Sequence, residues 1–146
     1  MNLILPALLV FAAICLAWFW YEGRWDRRLF TAEVGRKCVN VRARGARELL
    51  QTQTDAQVLD VRSRKEFAGG AVPGAINVSL GDATFRERVA DLDRTRPVLV
   101  YCAGGFRSRK AVEVLRALGF QSIYHLHRGY HSWKFAGLPV AKTANP

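Results

Sequence analysis

Residues 98–120 read VLVYCAGGFRSRKAVEVLRALGF. The opening run, Val98 to Tyr101, is apolar or aromatic throughout, as a short strand buried on both faces would be. From Arg109 to Leu118 the spacing of Val112, Leu115 and Leu118 predicts an amphipathic helix. Between the two stands Cys102-Ala103-Gly104-Gly105-Phe106-Arg107-Ser108. A thiol between a strand's C-terminus and a helix's N-terminus is either a buried spacer or a nucleophile. The rest of the chain decides between them.

Similar strand and helix patterns continue on both sides. "CVNV" (38–41), "AQVLDV" (56–61), "AINVSL" (75–80), "PVLVYC" (97–102) and "SIYHLH" (122–127) read as strands. Ala46 to Gln51, a short piece within Arg62 to Gly70, and Asp82 to Leu92 have a helical pattern, and Pro73-Gly74 marks a turn. Strands alternating with helices predict a largely parallel α/β sheet, whose ligands collect at the C-terminal ends of its strands. Cys102 falls at that edge.

The N-terminal region is different. Leu3 to Tyr21, LILPALLVFAAICLAWFWY, contains no charged residue in 19 positions. As a helix it would span about 28 Å, close to the hydrocarbon thickness of a bilayer. Trp18, Trp20, Tyr21 and Trp25 gather where amphipathic rings favour the membrane interface. A cleaved signal peptide fits less well, because Met1-Asn2 has no basic side chain and bulky aromatics fill the cleavage zone. The expected division is an anchor over 1–22, a basic juxtamembrane linker over 23–38 and one α/β domain over 39–142. Eight basic residues lie between Arg24 and Arg47 and none before Leu3. The positive-inside rule then places the C-terminal domain in the cytoplasm, in a single-pass arrangement.

The 22 Lys and Arg against 12 Asp and Glu give a net charge of +10. Anionic lipid headgroups account for the basic residues near the anchor, and no domain-length aromatic–basic patch marks a nucleic-acid binder. Cysteines stand at positions 15, 38 and 102, an odd count of three with one inside the span, which describes no disulfide framework. No Cys/His cluster has metal-ligand spacing. Strand alternation followed by a loop explains His125, His127 and His131, so no metal is expected.

The loop itself favours chemistry over packing. A thiolate is the nucleophile, so its surroundings must stabilise negative charge. The positive end of the following helix faces the sulfur. Gly104 and Gly105 can turn their N–H groups inward, and Arg107 can fork two donors onto an anion. Ser108 is placed as the helix N-cap. Asp60 and Arg62 read as a structural ion pair with Glu66 in the same set, Trp133 as a core anchor, and Cys38 as a strand-start residue.

These features together resemble the rhodanese family of sulfurtransferases. LDVRSRKEFAGGAVPGAINVSL resembles the family's Asp-Val-Arg…Glu-Phe…Pro-Gly-Ala-Ile-Asn stretch. VYCAGGFRSRKAVEVLRALGF resembles its Cys-x4-Arg-Ser loop and helix, and LHRGYHSWKFAGLPV its closing segment. The resemblance implies a five-stranded parallel sheet flanked by helices. It also implies that Cys102 takes the outer sulfur of a donor such as thiosulfate as a persulfide. Backbone N–H groups of Ala103, Gly104, Gly105, Phe106, Arg107 and Ser108 would cradle that persulfide. A thiol or cyanide acceptor then removes the sulfur, and no cofactor is implied. A protein partner at the membrane is compatible with the anchor, but no residue names one.

The chain departs from the pattern in three places. Ala71 stands where the family often has His, Arg128-Gly129 where it has Gly-Gly, and Phe106 where a small or polar residue is frequent. Two rival readings are a rhodanese-fold binding or scaffold module, and an arsenate reductase or phosphatase on the same fold. The four residues between Cys102 and Arg107 disfavour the second, because cysteine-dependent phosphatases use a wider loop.

Overall fold

The computed structural model describes residues 4–30 and 35–142. The chain divides into two compact units, Met1–Thr31 and Ala32–Pro146.

In the first unit, α1 runs from Ile4 to Leu29. It is long and apolar enough to cross a membrane, with a mean hydropathy of 2.2 over its best window, none of which is buried. It also continues past the expected end of the anchor, so the first part of the expected linker, up to Leu29, is helical, while positions 31–34 of that linker lie outside the described residues. Contacts along the helix favour this extension. Arg24 lies 4.7 Å from the Trp20 ring, and Tyr21 stacks obliquely toward Trp18 and Trp25 at 6.3 and 6.0 Å. Arg27 and Arg28 in the last turn complement the negative end of the helix.

The second unit is an α/β domain. Its elements are β1 (Lys37–Val41), α2 (Ala43–Thr52), β2 (Gln57–Asp60), α3 (Arg64–Ala68), β3 (Ala75–Asn77) and α4 (Phe85–Ala90), followed by β4 (Val98–Tyr101), α5 (Phe106–Ala117), β5 (Ser122–Leu126) and α6 (Gly129–Phe135). The five strands form one parallel sheet in the order β1-β5-β4-β2-β3. Strands β2 and β4 are neighbours whose chains leave in opposite directions, β2 toward β3 and β4 toward β5. Such a reversal opens a crevice at the strands' C-terminal ends. Cys102 follows β4 directly into that crevice.

Strand alternation sorts the core into two layers. Leu99 and Tyr101 of β4 and Tyr124 and Leu126 of β5 join Ala46 and Leu49 of α2 and Trp133 of α6 in one buried cluster. On the other face, α5 packs on β4 and β5 through buried Ser108, Ala111, Val112 and Leu115, one helical stripe. Trp133 is a core anchor as expected, 2 % exposed, and its ring N–H donates to the Pro139 carbonyl at 2.7 Å.

Two expectations change here. The helix after the loop begins at Phe106, three residues earlier than the apolar spacing indicates, because Gly105 turns the chain at φ +98°. Ser108 is therefore not the N-cap but lies inside the first turn, with Gly105 in the capping position. Cys38 sits early in β1, paired with Ile123, which in turn pairs with Val98. It lies four residues below Cys102 along the strand direction, about 13 Å at the usual rise, and so lies beyond disulfide reach of it.

Candidate active site

Cys102 is 1 % exposed and lies under its loop. The Gly105 N–H donates to its Sγ at 3.1 Å and the Ser108 hydroxyl faces the same sulfur at 3.4 Å. The first turn of α5 has backbone N–H groups with no partner inside the helix, so the loop's anion-facing end is built into the secondary structure. The loop's other side is tied to α6. Tyr130 N donates to the Cys102 carbonyl at 2.8 Å and His131 N to that of Ala103 at 3.0 Å. Gly129 permits this approach, since a Cβ there would stand 2.2 Å from the Cys102 carbonyl oxygen.

The two loop glycines differ. Gly105 needs its positive φ, and a Cβ on it would lie 3.2 Å from the Arg128 backbone nitrogen. Gly104 has open space around it and no left-handed backbone, so the inward turn expected of both is required only at Gly105. Gly104 is exposed, Ala103 half-buried, and Phe106 is 40 % exposed at the loop's rim.

Arg107 is placed differently from expectation. Its two terminal nitrogens fork onto Glu66, Nη2 to Oε1 at 2.6 Å and Nη1 to Oε2 at 2.9 Å. The fork expected to hold an incoming anion is thus occupied by a carboxylate of this chain. Glu66 closes a capping box on α3 with Ser63, which orients it toward the loop. Arg107 first, and then Ser63, hold the Glu66 carboxyl down from 4.5 to about 2. The same contact raises the Arg107 pKa, with the nearby Cys102 sulfur adding to the effect.

Glu66 therefore belongs to the loop and not to the Asp60–Arg62 set. That pair is present and buried, with Arg62 Nη2 2.6 Å from Asp60 Oδ2. Burial opposes the Arg62 charge, and the hydrogen bonds and charge of Asp60 outweigh it, so its pKa is raised. Arg62 also donates to the Gly70 carbonyl and lies 4.0 Å from the Tyr130 ring. Such a pair ties β2 to the segment behind the loop. Removing one partner of a buried pair typically costs about 3–5 kcal/mol.

A further set of groups lies behind the sulfur. His125 is fully buried on β5, with Nε2 2.8 Å from Ser108 Oγ and 3.1 Å from the Gly105 carbonyl. Its Nδ1 is 2.9 Å from Asn40 Oδ1, and Asn40 Nδ2 lies 3.3 Å from His127 Nδ1. With Asn40 in this orientation His125 carries its proton on Nδ1. A neutral ring competes with the Cys102 sulfur for the single Ser108 proton, whereas a protonated ring donates through Nε2 to Ser108 or Gly105 and leaves that proton for the sulfur. Among the described residues no group of three or more His, Cys, Asp or Glu is placed to hold a metal.

Asn40, Glu66 and His125 were not legible as site residues. The Ser63-x-x-Glu66 spacing signals a cap but not a partner, and the alternation of His125 and His127 signals a strand face.

With this geometry in place, comparison defines the class. The chain belongs to the family of the rhodanese-like domain, whose model matches residues 45–136. It is 37% identical over 78 residues to the uncharacterized protein YqhL of Bacillus subtilis, covering 53% of this chain and 60% of that one. A crystal structure of a rhodanese-related protein from Thermoplasma volcanium matches with a TM-score of 0.63 and 33% identity, over 71% of this chain and 98% of that one. The crystal structure of a thiosulfate sulfurtransferase from Pseudomonas aeruginosa matches with a TM-score of 0.62 and 26% identity, over 73% of this chain and 20% of that one. The chain spans about half the length of the curated relatives it matches.

Proposed function

We propose that the domain is a sulfurtransferase that carries sulfane sulfur on Cys102, working at a membrane surface. One observation carries this reading: the lone sulfur at the end of β4 faces the Gly105 N–H and the Ser108 hydroxyl at the N-terminus of α5. Hydrogen bonds from such donors are strongest to a charged acceptor, either the thiolate or the persulfide that replaces it.

The reaction follows from the arrangement. The Cys102 thiolate attacks the outer sulfur of thiosulfate, a new S–S bond forms, and sulfite leaves with the electrons of the broken bond. The charge on the new terminal sulfur falls at the α5 N-terminus. An acceptor, cyanide or a thiol, then attacks that sulfur and restores the thiolate. No metal or organic cofactor is needed for either step. Ala103 and Gly104 form the accessible side of the loop. Phe106 makes its rim apolar, and the Arg107–Glu66 pair fixes the loop to α3. The likeness to a solved thiosulfate sulfurtransferase supports the choice of donor.

In this reading α1 is the anchor, the residues from 39 to 142 form the working domain, and the basic residues after the span keep that domain on the cytoplasmic side. Small-molecule sulfur donors and thiol acceptors are its partners, and nucleic acid is not among them. The test is turnover of thiosulfate with cyanide by the full chain in detergent, followed as thiocyanate. Activity lost in Cys102→Ser is the expected result. Equal activity in that variant would remove Cys102 from the reaction.

A further inference from the structure

Arg128 is the only non-glycine residue with a positive φ among the described residues, at 56°. Its neighbourhood explains why the chain must turn there. Gly129 next to it has no room for a Cβ, and Gly105 packs against the Arg128 backbone. At position 128 a glycine would relieve the backbone, and the sequence keeps a long cationic side chain instead. Backbone strain retained at a functional edge points to a role for the side chain.

The Arg128 side chain lines a cavity of about 330 Å3 together with Arg42, Ala43, His127 and Ser132. Arg42 and Arg128, both exposed, and the half-buried His127 contribute the charged and titratable groups of this open pocket, and none of the lining residues carries a carboxylate. The first turn of α2, which opens at the cavity, has no acidic residue either. The Asn40 amide donates to His127 Nδ1, leaving Nε2 as the ring's N–H donor in the neutral form. Such a lining repels itself and favours an anion with more than one oxygen.

The sheet register fixes where this cavity lies relative to the nucleophile. Val41 pairs with Leu126 and Val100 with His125, so Arg42, His127 and Cys102 follow β1, β5 and β4 at one level. These strands are adjacent in the sheet. At the usual interstrand spacing the backbone of Arg42 is about 10 Å from that of Cys102, with His127 between them. A donor that holds its anionic group several bonds from its transferable sulfur would bridge such a separation.

We infer that the Arg42–His127–Arg128 cavity binds the carboxylate end of a small organic persulfide whose sulfur reaches Cys102. This rests on the sulfur-carrier reading and names its physiological donor class. The transfer is R–S–SH plus the Cys102 thiolate, giving RSH and the Cys102 persulfide anion. The bond between the donor's two sulfurs breaks, RS− leaves with the pair, and it takes the proton of the transferred sulfur. No external oxidant or reductant enters. Ser132 adds a hydroxyl at the cavity wall.

The test uses S-methylglutathione, which bears two carboxylates and cannot transfer sulfur, titrated calorimetrically into the full-length Cys102→Ser chain in detergent. Saturable binding is expected, weakened at least tenfold in Arg128→Gly and in Arg42→Ala, and lost when the probe's carboxylates are ethyl esters. No binding to the parent, equal binding to both variants, or equal binding of the ester would overturn the inference. Thermal melting checks each variant, and if Arg42→Ala fails to fold, Arg128→Gly decides. Sulfur loading of the unmutated chain from thiosulfate is measured beside it. Failure there strikes the carrier reading, and failure of the titration alone strikes only the cavity.

Discussion

The sulfur of Cys102 is held by a backbone donor and a hydroxyl, and the two make different demands on sequence. The backbone donor depends on Gly105 keeping φ +98°. An L side chain there costs about 1–2 kcal/mol before any clash. Gly105→Ala should therefore destabilise the folded chain by at least that much in chemical denaturation. Gly104→Ala, with open space around it, should stay within about 0.5 kcal/mol of the parent. Equal losses would mean that the turn is not what distinguishes them. The hydroxyl belongs to Ser108, buried between Cys102 and His125. A hydrogen bond to a charged group is worth about 1.5–3 kcal/mol, so Ser108→Ala should lower kcat/KM for thiosulfate roughly tenfold or more. An unchanged value in a folded variant would leave the sulfur to the backbone alone.

At the scale of elements, α3 supports α5 through one ion pair. Glu66 is held down from 4.5 to about 2, chiefly by Arg107. A carboxyl with a depressed folded-state pKa contributes stability that is present above its unfolded value. That contribution is lost as the pH falls through the folded value. Denaturation midpoints should drop between pH 4.5 and about 2, and drop less steeply in Glu66→Gln. Parallel curves would show that the pair adds nothing to folding, as solvent-screened pairs often do.

The same elements show how far local pattern reaches. The strands, the Cys102 loop and the core role of Trp133 were legible because alternation and apolar runs are short-range signals. The start of α5 was not, since its first turn carries Phe106 and Arg107 at exposed or half-exposed positions and depends on the Gly105 turn. Arg107 and Glu66 are 41 residues apart, and Asn40 and His125 85. Only the parallel register that sets Asn40 opposite His125 brings that second pair together. No spacing along the chain announces it.

For the molecule as a whole, the proposal joins an apolar helix and a sulfur-carrying domain in one chain, so the substrate would be met at a membrane. The helix begins with an uncharged stretch close to the hydrocarbon width of a bilayer and ends in basic residues. The chain should stay with membranes through an alkaline carbonate wash. Protease added to inside-out vesicles should digest the domain, while protease outside intact spheroplasts should spare it. Digestion from the outside would reverse the orientation, and release by carbonate would remove the anchor. Whether Cys102 carries sulfur is read out by the intact mass of the full chain before and after thiosulfate. A gain of one sulfur atom, reversed by cyanide and absent in Cys102→Ser, is expected. A folded chain with an alkylatable Cys102 that gains no sulfur from thiosulfate or from an organic persulfide would contradict the carrier reading.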